Sequence, residues 1–194
     1  VNFGLYKLTD ARMSFYLSTL LLVYVYVMRF YWQNRKDRIR KNRLLIGAPA
    51  FFCILAVACQ IFYIPTDARW QKINSVLSGR LELGCFGWRD YGFSLLGTKI
   101  EWIGFSHNAT AGAYNYVDCS YMQILLENGL IPLVIIIAVY TYVMYMAVKE
   151  KDFYLQTAVL LITAFSITEP RLLNLAYNPL PFFGITYISL RGRS

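Results

Sequence analysis

Residues 33–64 read QNRKDRIRKNRLLIGAPAFFCILAVACQIFYI and decide the fold. The first eleven residues hold six basic side chains and one acid, whereas the 21 residues from Leu44 to Ile64 hold no charge. At 1.5 Å per residue, that apolar run makes a helix of about 31 Å, which matches a hydrocarbon core of about 30 Å. A basic loop beside a membrane-spanning helix stays on the cytoplasmic side. We therefore predict a span at 44–64 and a cytoplasmic loop at 33–43.

The composition of the whole chain is typical of a membrane protein. Of 194 residues, 57% are hydrophobic and only 15% are charged, against about 25% charged residues in soluble domains. We predict an all-α, polytopic integral membrane protein that forms a single membrane domain over residues 1–194. The predicted spans are 13–32, 44–64, 130–148, 153–168 and 172–190. Asn174, Asn178, Pro179 and Pro181 break the fifth span near its start.

The charges orient these spans. Alternation places the segment 65–129 outside, as a large and partly helical extracytoplasmic loop. The cytoplasmic segments then carry eleven of the 19 basic and three of the 11 acidic residues, and the outer segments carry eight of each. The whole net charge of +8 therefore lies on the inner face. Because the basic residues lie between apolar runs, they indicate contact with membrane lipid, and we expect no nucleic-acid partner.

Three outer arginines are candidates for binding an anion. Arg12 precedes the first predicted span, Arg80 lies in Ser78-Gly79-Arg80, and Arg171 follows the fourth span. A guanidinium group binds phosphate oxygens through two parallel hydrogen bonds. Taken singly, each arginine is better explained as a headgroup anchor or an ion-pair partner. For the three together, at one predicted depth, that explanation and anion binding are evenly balanced.

Four outer residues are candidate proton acceptors: Asp118, Glu127, Glu169 and His107. Each has a structural alternative that the sequence leaves open. Asp118 precedes a predicted helix and is also a candidate cap of it, and Glu169 is also a candidate partner of Arg171. Glu127 lies at the far end of the same helix. His107 is the single histidine and lies in a loop, where a histidine is more often solvated than catalytic.

The segment before the third span predicts a helix that begins near Asp118 or Ser120. Residues 120–123 match the capping box S-x-x-Q, and Gly129 with Pro132 marks a bend before the span. Cys85 and Cys119 lie in the outer loop and can pair if that loop faces an oxidising compartment. Since no CxxC motif and no Cys/His zinc spacing occurs, we expect no metal site.

The order of these motifs resembles a known family. TDAR precedes the first span, and the outer loop contains VLSGRLELGCFGW, YGFSLLG and VDCSYMQILLENGLIPL, followed by ITEPRLLNLAYNPL. This arrangement resembles the C-terminal half of Wzy-type bacterial polysaccharide polymerases, relatives of the O-antigen ligases. The resemblance covers nearly the whole chain but about half of a typical member. As the chain also begins with Val1, we expect it to be a piece of a longer protein.

The resemblance implies an enzyme of the bacterial plasma membrane. It would polymerise polyprenyl-pyrophosphate-linked oligosaccharide units into O-antigen, capsule or exopolysaccharide by glycosyl transfer at the outer face, without metal or cofactor. Arg80, with Arg12 and Arg171, would bind the pyrophosphate, and Asp118 or Glu169 would act on the acceptor hydroxyl. A flippase and a chain-length regulator would be partners.

Three other functions stay open at this point. The ligase branch would transfer the finished glycan to an acceptor, but it commonly carries a histidine where this chain has Asp118. A transport component for lipid-linked sugars would place charges inside its spans, and here only Arg29 lies in one. An inactive membrane remnant is the third alternative.

Overall fold

The computed structural model describes residues 43–103 and 115–170, with six further residues that stand singly or in a pair. Those six are Thr19, Val23, Tyr26, Leu172, Leu173 and Asn178. The described residues form helices and connecting segments, with no strand among them. The predicted all-α class is therefore confirmed for this part of the chain.

Six α-helices and one 3₁₀ helix make up the described fold. The 3₁₀ helix, Arg43–Gly47, continues directly into α1. The α-helices are α1 (Ala48–Ile61), α2 (Ala68–Val76), α3 (Arg80–Tyr91), α4 (Ser120–Glu127), α5 (Leu130–Lys149) and α6 (Phe153–Phe165). Helix α1 is the centre of the arrangement, since it packs against α3, α4, α5 and α6.

Two helices are long and apolar enough to cross a membrane. They are the 19 residues from Arg43 to Ile61 and the 20 residues of α5, which reach about 28–30 Å at 1.5 Å per residue. Helix α6 is apolar but has only 13 residues. The predicted segments were 44–64, 130–148 and 153–168, so α5 extends one residue beyond its prediction and the other two helices end three residues early. The spans predicted at 13–32 and 172–190 lie outside the described residues, apart from the six named above.

The buried core surrounds the short helix α4. Tyr121, Met122 and Leu126 of α4 are almost completely buried, although the predicted topology places this helix in the outer loop. Helix α4 contacts α1, α3 and α5. The hydroxyl of Tyr121 donates a hydrogen bond to the carbonyl oxygen of Thr163 on α6 (2.6 Å). The loop is therefore folded into the helical assembly through α4.

A tight glycine contact joins α4 to α5. Gly129 has φ 97° and Gly97 has φ 85°, values that residues with a side chain rarely adopt. A Cβ atom on Gly97 would lie 2.1 Å from the carbonyl oxygen of Glu127. Leu130 and Ile131 donate their backbone N–H groups to Ser94 and Leu95 oxygens (3.0 and 3.2 Å). The segment around Gly97 thereby satisfies donors that a helix start leaves without intrahelical partners.

We predict that Gly97→Ala destabilises the fold by roughly 1–3 kcal/mol, because it combines a strained φ with a backbone clash. Thermal unfolding of the detergent-solubilised protein measures the change. Gly47→Ala is the matched control, since a Cβ there meets nothing within 4 Å and φ is −79°. Equal unfolding temperatures for both variants and the wild type would show that the close contact of Gly97 with the backbone between α4 and α5 does not stabilise the fold.

Candidate functional site

A left-handed turn places Arg80 at the start of α3. Helix α2 ends at Val76, and Ser78 and Gly79 follow with φ values of 56° and 81°. Two successive left-handed residues reverse the chain direction within one turn, and Gly79 adopts this conformation without a Cβ penalty. Arg80 is the first helical residue after the turn. The motif Ser78-Gly79-Arg80 therefore fixes where the arginine leaves the backbone.

Asn74, which sequence reasoning missed, holds this turn. Its side-chain oxygen accepts hydrogen bonds from the backbone N–H groups of Leu81 (3.1 Å) and Glu82 (3.3 Å). Its amide nitrogen donates to a Glu82 carboxylate oxygen (3.3 Å), and the side chain is buried. Asn74 thus performs the capping function for α3 from six residues before Arg80, too far for the usual N-cap signature to reveal it.

Arg80 contacts two carboxylates from distant parts of the chain. Its Nη1 and Nη2 atoms donate to the Glu169 Oε1 atom (3.3 and 3.2 Å), and Nη1 also donates to the backbone oxygen of Thr168. Its Nε atom lies 3.5 Å from the Asp118 Oδ2 atom. The structure therefore joins Arg80, Asp118 and Glu169, three of the seven residues that the sequence singled out. We call this set the Arg80 cluster.

The Arg80 cluster is partly shielded from solvent. The side chains of Arg80, Asp118 and Glu169 retain 22%, 23% and 19% of their exposure, so each still presents an edge to the outside. Burial raises the pKa of Asp118 and nearby Glu169 raises it further, while Arg80 acts in the opposite direction. With one cation and two carboxylates, these three groups carry a net charge of −1 when all are ionised. The cluster is therefore better suited to accept a proton than to bind an anion by itself.

Ser120 connects the segment of Asp118 to the segment of Glu169. Its hydroxyl does so through contacts across the fold and does not form the predicted capping box. Its hydroxyl donates to the backbone oxygen of Glu169 (2.5 Å) and accepts from the backbone N–H of Leu172 (3.1 Å). Helix α4 does begin at Ser120, but Cys119 is the N-cap residue and makes no side-chain cap. The capping-box prediction is wrong because a contact across the fold satisfies the hydroxyl. Asp118, the other cap candidate, faces Arg80 instead.

Asn178 anchors the chain beyond the Arg80 cluster. Its amide nitrogen donates to the hydroxyl of Tyr140 on α5 and to the backbone oxygen of Leu172 (2.7 Å). The Asn178 side chain is 2% exposed, so it is buried within the fold. Asn178 accordingly has a structural role, since it joins the backbone of Leu172 to the side chain of Tyr140.

Glu127, another of the candidates, is not part of the Arg80 cluster. Glu127 is exposed at the other end of α4, where its Oε2 atom accepts a hydrogen bond from the Trp102 indole nitrogen (3.0 Å). Asp118 precedes the first residue of α4, whereas Glu127 is its last residue. Arg12, His107 and Arg171 lie outside the described residues.

The cysteines and other metal-ligating side chains form no cluster in the described part of the chain. Cys85 and Cys119 are both buried free thiols, so the disulfide left open by the sequence is not formed. The thiol of Cys85 donates to the backbone oxygen of Tyr63 (3.7 Å). Among the described residues, no three His, Cys, Asp or Glu side chains are grouped closely enough to hold a metal ion.

Comparisons of this chain with protein-family models, with curated proteins and with solved structures found no match.

We predict that Asn74→Ala destabilises the protein by about 1–3 kcal/mol, because two N–H groups at the start of α3 lose their acceptor. Chemical denaturation followed by circular dichroism measures this loss. The control is Ser75→Ala, since Ser75 is exposed and its hydroxyl bonds only the Lys72 backbone oxygen. If Asn74→Ala costs no more than Ser75→Ala, the cap assignment is wrong.

Proposed function

We propose that this chain belongs to a membrane glycosyltransferase that polymerises polyprenyl-pyrophosphate-linked oligosaccharide units at the outer face of the bacterial plasma membrane. The observation that carries the proposal is the Arg80 cluster, in which one guanidinium holds two carboxylates at a partly open position. A partly buried carboxyl group with a raised pKa, such as Asp118, is typical of catalytic sites. The resemblance of the motif order to the Wzy-type polymerases supplies the substrate class.

The membrane topology is part of this proposal. Five spans would place the basic loop 33–43 in the cytoplasm and the loop 65–129 outside. Two helices of spanning length support it, with Arg43 at the start of one and Lys149 at the end of the other. Ile61 and Leu130 line the same apolar groove, as expected where α1 ends and α5 begins on one side of the bilayer. Arg80, Asp118 and Glu169 would then all lie at the outer face.

In the proposed reaction, the oxygen of an acceptor sugar hydroxyl attacks the anomeric carbon of a lipid-linked glycan. The bond between that carbon and the phosphate oxygen breaks, and the lipid pyrophosphate leaves with the electron pair. Asp118 takes the hydroxyl proton. The raised pKa of Asp118 makes its carboxylate a better proton acceptor than a solvated aspartate. Arg80 and Glu169 position Asp118 for this step.

The leaving pyrophosphate needs more positive charge than Arg80 provides. Asp118 and Glu169 already offset the charge of Arg80, so an approaching polyanion would meet a net negative cluster. We assign the additional cations to Arg12 and Arg171. Arg171 lies two positions after Glu169 in the sequence. Together, the three arginines would stabilise the negative charge that develops on the leaving oxygen.

We predict that Arg80→Ala abolishes long polysaccharide chains while single repeat units remain attached to the cell surface. Arg80→Lys should rescue poorly, because an ammonium group lacks the planar fork that reaches both Glu169 and Asp118. Gel electrophoresis of surface polysaccharide, from cells carrying each variant in the full-length gene, measures the chain lengths.

The control is Arg89→Ala, an exposed arginine near the end of the same helix, which should leave the chain lengths unchanged. Normal lengths in Arg80→Ala cells would remove Arg80 from the site. Long chains that accumulate on the lipid carrier, without transfer to the cell-surface acceptor, would identify a ligase instead of a polymerase.

The raised pKa of Asp118 also sets the pH dependence of the reaction. Activity requires the carboxylate, so it should fall as the pH drops through the raised pKa, at a higher pH than a solvated aspartate would give. Asp118→Asn should lower kcat by about 10²–10⁴-fold and remove this acid limb. Initial rates of the full-length protein in proteoliposomes measure both effects.

Asp90→Asn, a change at an exposed residue near the end of α3, is the control and should retain the wild-type profile. An Asp118→Asn enzyme with wild-type kcat would contradict the role of Asp118.

A further inference from the structure

A second cluster of side chains lies on the outer loop, around Trp102. The ring of Trp102 meets Tyr91 and Tyr116 in edge-to-face geometry, with centroid distances of 6.1 and 6.0 Å. The Trp102 indole nitrogen donates to Glu127 (3.0 Å), which fixes the orientation of the ring. All three aromatic residues are half-buried, so each remains partly accessible to solvent. We call these four residues the Trp102 platform.

Asn115 holds the platform rigid. Its side-chain nitrogen donates to the Tyr91 hydroxyl (3.1 Å) and to the backbone oxygen of Glu101 (3.2 Å). The side-chain oxygen of Asn115 accepts from the backbone N–H of Ile103 (2.6 Å). The backbone N–H of Asn115 donates to the backbone oxygen of Ile103 (3.2 Å). The segments on either side of Trp102 and Tyr116 are thereby tied together, and a preorganised surface loses little entropy when a ligand binds.

The platform continues directly into the Arg80 cluster. The segment from Asn115 to Cys119 carries no helix, and its burial alternates. Val117 and Cys119 are 0% and 1% exposed, whereas Tyr116 and Asp118 are half-buried. In extended backbone, side chains two positions apart point to the same side, and their Cα atoms are about 7 Å apart. Tyr116 and Asp118 therefore face the same outer surface.

We propose that the Trp102 platform is a carbohydrate subsite that seats the sugar whose hydroxyl is presented to Asp118. A sugar ring has an apolar C–H face and an edge of hydroxyl donors. Aromatic rings provide the apolar contact, and the Glu127 carboxylate accepts hydroxyl hydrogen bonds. The exposed carboxylates of Glu101 and Glu127 disfavour a phosphate or an anionic lipid headgroup at this position. The assignment of that sugar as the acceptor rests on the proposed function, whereas sugar binding itself does not.

Equilibrium dialysis of the full-length protein in detergent tests the subsite. The probe is the radiolabelled repeat-unit oligosaccharide of the source cell, released from its lipid by mild acid. Trp102→Ala and Tyr116→Ala should each weaken binding by at least about tenfold. Tyr116→Phe keeps the ring and should bind within about twofold of the wild type. Tyr154→Ala is the control, since Tyr154 is 81% exposed on α6, and should bind normally.

Thermal unfolding of each variant shows whether it is folded. If Trp102→Ala does not fold, the binding measured for Tyr116→Ala tests the subsite. Normal binding by folded Trp102→Ala and Tyr116→Ala proteins would overturn the subsite, even if Arg80→Ala cells lose their long chains. Binding that depends on Trp102 and Tyr116, in a protein whose Arg80→Ala variant makes normal chains, would support the subsite and refute the polymerase. The two proposals therefore fail in distinguishable ways.

Discussion

The guanidinium of Arg80 is the contact on which the rest of the site depends. It joins the start of α3 to Asp118, which precedes α4, and to Glu169, which follows α6. Glu169 is 89 residues away along the chain, so the contact joins segments of the described fold that are far apart in the sequence. A partly buried carboxylate is costly unless an opposite charge faces it. Since one cation faces two carboxylates, removing it would leave both without their main compensating charge.

The backbone around Arg80 supports this contact. The left-handed turn at Ser78 and Gly79 directs the side chain, and Asn74 caps the helix that the arginine begins. On the opposite side, Ser120 joins the backbone of Glu169 to the start of α4. Groups held by several independent hydrogen bonds keep a reactive geometry without reorganisation. The Trp102 platform adjoins this site in the sequence, because Tyr116 and Asp118 lie in one short segment without helix.

Much of the helical framework could be predicted from the sequence. Helix α5 is an uncharged run between Gly129 and Lys149, and period and length alone define such a segment. The start of α4 at Ser120 was also predictable. Its capping box was misread because the S-x-x-Q pattern is local, whereas the Ser120 hydroxyl is satisfied by Glu169 across the fold. Local patterns carry no information about contacts between residues so far apart.

The contacts between side chains of the site were harder to predict from the sequence. Arg80, Asp118 and Glu169 were each candidates by residue type, yet nothing in their spacing indicated that one arginine contacts both acids. The sequence suggested Arg171, which lies outside the described residues, as a partner of Glu169, and it gave no sign of the contact between Arg80 and Glu169. Asn74 was missed because a cap six residues before its helix leaves no local signature, and Trp102 because its partners come from three separate segments.

The most direct test of the central claim is the size distribution of surface polysaccharide after deletion of the gene and its restoration. We predict that deletion removes long chains, leaves single repeat units attached, and is complemented by the wild type but not by a Glu169→Ala, Asp118→Ala double variant. An unchanged distribution in the deletion strain would contradict it.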